Sequence, residues 1–166
     1  TYHTAMEGSL RVPFMLRWPG LVRSEQVTND IVHVVDLYPT LARIAGATPP
    51  TDRVIDGVDQ LDFLLGRQEH SNREGFVYYI KNELRAIKWR DWKMHFIWEV
   101  EPNAGPNKLE TPYIFNLLRD PKEETDIATQ ESWMRGPMLK MLSEFQQSLK
   151  LHPPIPSGAP DEYEGS

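Results

Sequence analysis

The sequence contains no cysteine among its 166 residues. Disulfide bridges and thiolate metal sites are therefore excluded, although this absence leaves the cellular compartment open. Long hydrophobic runs are missing too: no apolar stretch approaches the roughly 20 residues that a helix needs to cross a bilayer. No membrane span is therefore predicted.

Positive charge is also in short supply. The chain has 18 Lys and Arg residues against 24 Asp and Glu residues, giving a formal net charge of -6 at pH 7. Because the basic residues are scattered, neither nucleic acid nor an anionic membrane surface is expected as a principal partner. The hydrophobic content of 40% is ordinary for a globular chain and suffices for one domain or slightly more.

The first region, residues 1–66, is predicted to be the end of a larger α/β domain, a mixed sheet with helices. Val12–Trp18 is apolar on both faces apart from Arg17, as in a strand covered by helices on each side. Such a strand needs neighbours, and nothing before it in this chain can supply them. An amphipathic helix is predicted from about Leu37 to Ala45, with Asp36 as its N-cap and Gly46 as its stop.

The second region, residues 67–152, is predicted to be a small α+β domain with an antiparallel sheet and one amphipathic helix. The polar stretch Arg67–Glu74 is interpreted as a linker, Glu99–Pro112 as a loop and residues 153–166 as an extended or disordered tail. The predicted strands and helix are Phe76–Ile80, Leu84–Trp89, Trp92–Trp98, Tyr113–Leu117 and a helix over Pro137–Leu149.

Aromatic residues alternate along the third of these strands. Trp92, Met94, Phe96 and Trp98 are predicted to share one face, with His95 on the other. Such a row of rings is typical either of packing between a sheet and a helix or of a platform for a sugar or aryl ring. Packing is the favoured interpretation.

Five short stretches, in order along the chain, resemble the sulfatase family. Glu7–Gly20 resembles the signature E-G-G-x-R-V-P-x-x-x-x-W-P-G, with Ser9 in place of the second glycine. Each stretch is weak alone, whereas five in the family's order are specific. The other four are Val34–Leu41, Asp56–Asp59, Arg85–Lys93 and Ile114–Glu124, the last including the Asp120-Pro121 and Glu123-Glu124 pairs.

The resemblance implies the C-terminal portion of a sulfatase, a sulfuric ester hydrolase of the alkaline-phosphatase-like superfamily. In that family the nucleophile is a formylglycine made from a C/S-x-P-x-R motif, and a calcium ion is held by Asp and Asn ligands. This sequence has neither the C/S-x-P-x-R motif nor the short Asp-Asp and Asp-Asn/His motifs that carry the metal ligands. Formylglycine and calcium are therefore expected in an N-terminal sulfatase segment, and the chain alone is predicted to be inactive.

Further expectations follow from the same resemblance. A sulfated small molecule or glycan would bind only to the complete enzyme, and the compartment would be periplasmic or extracellular if this chain follows most bacterial sulfatases. A sulfate-contacting lysine of the family lies five positions before the signature Glu, where this chain has Tyr2. Tyr2, His3 and Glu7 are thus the candidate substrate-pocket residues, with a structural hydrogen-bonding role favoured for Glu7. No catalytic residue or metal ligand is predicted.

Two other functions stay open. A related phosphate or phosphonate ester hydrolase would share the fold and differ in its nucleophile. A self-standing, non-catalytic binding module would be soluble and cooperative alone, without an exposed apolar edge beside Val12–Trp18.

Overall fold

The computed structural model describes residues 4–100, 103 and 105–154. Its N-terminal part contains three short helices and one turn of 3₁₀ helix directly before the second of them. The helices are α1 (Glu7–Leu10), α2 (Leu37–Ile44) and α3 (Leu61–Leu64), and the 3₁₀ turn is Val34–Asp36.

Four antiparallel strands form one sheet, in the same order in space as along the chain. They are β1 (Gly75–Ile80), β2 (Glu83–Trp89), β3 (Trp92–Trp98) and β4 (Asn107–Asn116), and a long helix, α4 (Arg135–Leu151), follows. This confirms the predicted small α+β unit. β4 begins earlier than expected because Asn107 and Lys108 pair with the end of β3, so part of the predicted 99–112 loop is strand.

One face of the sheet packs against α4 and forms the main apolar core. Period-2 alternation on the strands and three-to-four-residue spacing on the helix bring the same-faced residues together. The fully or nearly fully buried members are Ile87, Met94, Ile114, Ala128, Met134, Met138 and Leu142. Trp92 and Phe96 pack against this core, as the packing interpretation of the aromatic row predicts.

Trp98 lies on the opposite face from Met94, so the prediction of four residues on one face was wrong at this position. The pairing of β3 with β4 shifts register between His95 and Ile97. From His95 to Ile97 β3 advances by two residues while β4 advances by five, from Tyr113 to Lys108, so the regular pairing of the two strands is lost at this point. Trp98 consequently stacks on Phe115, with ring centroids 5.3 Å apart, and meets the edge of His95.

The Val12–Trp18 strand is a second correction. Residues 11–18 belong to no helix or strand, and Val12, Phe14 and Met15 are exposed. A strand is completed by hydrogen bonds to a neighbour, and in the part of the chain that the structure describes no strand pairs with these residues. The sequence pattern is that of a covered strand, whereas this chain by itself does not cover it.

Helix α2 begins differently from the prediction. Asp36 is the last residue of the 3₁₀ turn and makes no capping bond to α2. His33 is the cap of that turn: its Nδ1 accepts from the Val35 N–H (3.3 Å), while the His33 N–H donates to Asp36 (2.8 Å). The helix ends at Ile44, and Gly46 follows as its predicted stop, with φ of 73° in the left-handed region that glycine adopts freely.

The stretch Arg67–Glu74 is attached to the N-terminal part rather than free. Ser71 donates its N–H to Asp30 (2.7 Å), and Asn72 donates its N–H to Gln60 (3.1 Å).

The division of the chain at residues 66 and 152 stays a prediction. The predicted tail lies outside the described residues from 155 onward. In the ranges that the structure covers, no helix has the length and apolar character to cross a membrane.

Candidate functional site

The sheet face opposite α4 carries charged and polar side chains that are nonetheless buried. We call them, together with their two carboxylate partners from outside the sheet, the buried charge cluster: Glu7, Tyr78, Lys88, Lys93, His95 and Glu123. Strand pairing sets Lys88 opposite Lys93 and Ala86 opposite His95. The cluster therefore follows from register, with the small Ala86 leaving room for the segment around Glu7, whose neighbour Ala5 packs beside Tyr78.

The Glu7 carboxylate is held by three donors from three strands. Lys93 Nζ donates to Oε1 at 3.0 Å, the Tyr78 hydroxyl donates to the same oxygen at 3.2 Å, and Lys88 Nζ donates to Oε2 at 2.8 Å. Burial alone would raise the pKa of Glu7, but the Lys93 and Lys88 ammonium groups outweigh it and lower the pKa to about 2. Glu7 is therefore ionised at every physiological pH.

Glu123 is the second carboxylate, and it joins the sheet to the backbone of Glu7. Its Oε1 lies 3.1 Å from Lys93 Nζ and 2.7 Å from His95 Nε2, while its Oε2 accepts the Glu7 N–H at 2.7 Å. Burial would raise its pKa, but the bonds from His95 and Lys93 lower the pKa below the ordinary glutamate value. Two carboxylates thus face two ammonium groups, and the charges balance.

His95 and Tyr78 stay neutral in this setting. Burial, together with the nearby Lys93 charge, lowers the pKa of His95, so Nε2 donates to Glu123. Burial and the Glu7 carboxylate raise the pKa of Tyr78, which keeps its proton. His95 Nδ1 finds no hydrogen-bond partner among the residues that the structure describes.

The cluster is largely buried, and Lys88 is its most exposed charged side chain, at 13%. Lys93 is fully buried, and His95 and Glu123 are almost so. A substrate has no route to such side chains in this chain. The arrangement is suited to holding one segment against another, in keeping with the structural role favoured for Glu7, rather than to acid–base chemistry.

A second buried ion pair attaches α2 to the start of β1. Arg73 Nε donates to Asp36 Oδ2 at 2.8 Å, and the same carboxylate accepts the N–H groups of Val58 (2.9 Å) and His33 (2.8 Å). Burial would raise the pKa of Asp36, but Arg73 and the two N–H donors lower the pKa. Burial and the Arg73 charge lower the pKa of His33.

Of the three predicted pocket residues, the structure describes only Glu7. Tyr2 and His3 lie outside the described residues, and Glu7 is buried in the cluster, so a substrate-facing role for all three stays a prediction. Sequence reasoning did not connect Lys93 and Glu123 with Glu7. The available signal was a charged residue, Lys93, within a strand whose other residues are apolar apart from His95.

The rest of the described surface offers only shallow depressions. One of about 250 Å³ lies beside Trp92 and Asn116, and another of about 220 Å³ lies between Arg11 and Arg90. Within the described residues no group of three or more His, Asp or Glu side chains is placed to hold a metal ion. These residues therefore do not fit the calcium site that the family resemblance implies.

The four-stranded antiparallel sheet with its helix is the fold of a C-terminal sulfatase region. Residues 71–157 match the family model described as the C-terminal region of aryl-sulfatase. The chain belongs to the sulfatase family.

Relatives and solved structures agree with this assignment. The chain is 32% identical to steryl-sulfatase of Rattus norvegicus over 156 residues, covering 81% of this chain and 27% of that protein. It is 27% identical to steryl-sulfatase of Homo sapiens, covering 95% of this chain and 30% of the relative. The crystal structure of the PsFucS1 sulfatase from Pseudoalteromonas sp. superposes with a TM-score of 0.85 at 27% identity, covering 93% of this chain and 33% of that one. The chain thus spans about a third or less of each.

Proposed function

We propose that this chain supplies the C-terminal portion of a sulfuric ester hydrolase and that an N-terminal sulfatase segment supplies the nucleophile and the metal ligands. One observation carries the proposal. Nearly the whole chain, 93%, superposes on the PsFucS1 sulfatase while spanning only 33% of it. The sequence also has no C/S-x-P-x-R motif from which a formylglycine is made. Formylglycine would supply the attacking oxygen for sulfate ester cleavage, and calcium would neutralise the sulfate charge.

The exposed apolar segment between α1 and α2 supports an N-terminal partner. Met15 is 91% exposed and Val27 is 94% exposed, with Val12, Phe14 and Leu21 also open to solvent. Contiguous apolar surface of this kind marks an interaction site. The two-thirds of the PsFucS1 sulfatase that this chain does not match is the occupant that we assign to it.

Helix α2 adds to the same surface. Its apolar stripe, which includes Leu41 and Ile44, is largely exposed, whereas its buried side is formed by Asp36, Pro39 and Thr40. A helix that turns its apolar stripe away from its own chain needs a second covering layer. In the proposed enzyme the N-terminal segment covers both Val12–Trp18 and this stripe.

The experiment is a chimaera in which this chain replaces the matching C-terminal third of the PsFucS1 sulfatase. The controls are the intact sulfatase, the same sulfatase truncated before the matched region, and this chain alone. We expect the chimaera to hydrolyse a generic aryl sulfate in preference to the aryl phosphate, and the truncated sulfatase and the isolated chain to be inactive. A steryl sulfate belongs in the substrate panel because two relatives carry that name.

The variant Met15→Asp tests the covering surface. It places a charge on an exposed side chain, so the isolated chain should keep its stability while the chimaera loses activity. Hydrolysis by the isolated chain, abolished by a substitution within it, would contradict the proposal. A coding sequence upstream of this chain without a C/S-x-P-x-R motif would favour the phosphate or phosphonate ester hydrolase, because the two alternatives differ in their nucleophile. A soluble, cooperatively unfolding chimaera without activity would favour the non-catalytic module.

A further inference from the structure

We propose that the buried charge cluster positions the segment Thr4–Leu10, with Lys93 and Glu123 as its positioning residues. The functional meaning of this rests on the proposed function, in which the residues preceding Glu7 border the sulfate pocket. The attachment itself is a property of this chain and is tested on it.

The segment has little structure of its own. Helix α1 is one turn of four residues, and a single turn is unstable without outside contacts because nucleation fixes several dihedral angles for few hydrogen bonds. Its N-cap, Met6, makes no side-chain capping bond. The place of α1 is therefore set by what holds it from outside.

Four hydrogen bonds from outside the segment converge on one residue of it, Glu7. Three fix the carboxylate from β1, β2 and β3, and the fourth fixes the backbone N–H through Glu123. Side chain and main chain of the same residue are thus held independently, so the segment can neither slide along the sheet nor rotate about the Glu7 side chain without breaking a charged contact. Charged hydrogen bonds of this kind are directional and strong.

Lys93 links the two carboxylates. Its ammonium group lies 3.0 Å from Glu7 and 3.1 Å from Glu123, and its side chain is completely buried on β3, a central strand of the sheet. The Lys93 ammonium group therefore fixes the segment relative to β3. Apolar residues of similar volume would often give equal or greater stability than buried ions, whereas a fixed geometry requires directional contacts.

The consequence reaches the candidate pocket residues. His3 is four residues from Glu7, and the main chain spans at most about 3.3–3.6 Å per residue. Fixing Glu7 in position and orientation also fixes the described residues just before it, Thr4, Ala5 and Met6, which are buried.

The first test is hydrogen exchange on the full 166-residue chain. Glu123→Gln removes one charge of the cluster, with the exposed Glu144→Gln as its matched control; Lys93→Met removes the bridge, with the exposed Lys140→Met as its control. We expect the amides of Glu7 and Arg11 to exchange at least about tenfold faster in the cluster variants, since a lost charged bond costs that much or more. The amides within β2 and β3 should keep their rates.

A positioning role predicts faster amide exchange only near Glu7, whereas a purely stabilising role predicts faster exchange throughout the sheet. Equal acceleration at Glu7, Ile87 and Met94 would mean that the cluster only stabilises the sheet, and unchanged rates at Glu7 and Arg11 would mean that it holds nothing; either result overturns the inference. If Lys93→Met does not fold, Glu123→Gln decides by the same criterion.

The second test uses the sulfatase chimaera. Glu123→Gln should lower kcat/KM by at least about tenfold, and Glu144→Gln should leave it unchanged. An active chimaera in which Glu123→Gln has no effect overturns the link between the cluster and the pocket. A chimaera without any activity argues against the proposed function, and the exchange measurement then decides the positioning role separately.

Discussion

Residues 75–151 and residues 8–35 place their apolar side chains in opposite ways. In the sheet and α4, Ile87, Met94 and Met138 are completely buried. Between α1 and α2, Met15 and Val27 are more than nine-tenths exposed. Both regions carry large apolar side chains, but only the first has enough elements to close a core around them. Apolar side chains alone therefore do not indicate whether the residues that cover them belong to the same chain or to a partner segment.

The two regions also differ in how they are attached to each other. The N-terminal part meets the sheet through two buried ionic groups, at Glu7 and at Asp36, rather than through a broad apolar interface. Ionic attachments contribute little net stability for their desolvation cost but define geometry. The N-terminal part is thus held in place without being stabilised as a core. The predictions below test this difference.

The largest effect is expected from Arg73→Met. It leaves the fully buried Asp36 carboxylate without its cation, which costs about 3–5 kcal/mol when one partner of a buried pair is removed. The control is Arg53→Met, whose pair with Asp52 is exposed on both sides and should contribute little to stability. Urea unfolding measures both. Similar values for the two variants would show that the Asp36 attachment is no more than a surface contact.

Core truncation should distinguish the two regions directly. Met138→Ala opens a cavity between α4 and the sheet and should lower the free energy of unfolding by about 2–5 kcal/mol. Met15→Ala removes the same side chain from an exposed position and should change it by less than about 0.5 kcal/mol. Thermal or urea unfolding of the isolated chain decides the matter. A large loss with Met15→Ala would mean that the N-terminal segment already has a core.

Acid should weaken the attachment at Glu7. The carboxylate has a folded pKa of about 2 against an ordinary value of 4.5, so its contribution to stability is complete above about pH 4.5 and disappears as the pH falls toward 2. Each pKa unit corresponds to about 1.4 kcal/mol, so the total is about 3 kcal/mol. The lowered pKa values of Glu123 and Asp36 act in the same direction.

Urea unfolding between pH 7 and pH 2 measures this loss. Glu7→Gln is the comparison, because it has no carboxyl group at that position and should show a shallower dependence on pH in the acid range. Identical slopes for the two proteins would remove Glu7 as the source.

The smallest effect is expected on the outer face of α4. Lys140 and Glu144 form an exposed pair one helical turn apart, with 3.9 Å between their charged atoms. Lys140→Ala should change the free energy of unfolding by no more than about 0.5 kcal/mol. A loss above about 1 kcal/mol would show that this face is not free in the chain.

The sheet and α4 could be predicted because their signals are local. Alternation from Phe76 to Trp98 and the spacing of Met138, Leu142 and Phe145 predicted these elements to within a few residues. The register shift between β3 and β4 after His95 has no signal in the neighbouring sequence, so the predicted face of Trp98 was wrong. Val12–Trp18 has a correct strand pattern, but a strand also needs a partner, and the pattern does not say where that partner is.

The pairings within the buried charge cluster could not be predicted from local sequence patterns either. Glu7 was identified from its own surroundings, but its partners Lys88, Lys93 and Glu123 lie 81, 86 and 116 residues away. The sign of the charge alone does not determine which acidic residue pairs with which basic residue. Only the strand register, which sets Lys88 opposite Lys93, selects these among the 18 basic residues of the chain.

The distance between Glu7 and Glu123 along the chain also orders events during synthesis. At about 5–20 residues per second, the 116 intervening positions separate their appearance by about 6–23 s. Throughout that interval the Glu7 N–H lacks the Glu123 carboxylate that accepts it in the folded chain. The segment Thr4–Leu10 therefore becomes fixed against the sheet only after β3 and Glu123 have both been made.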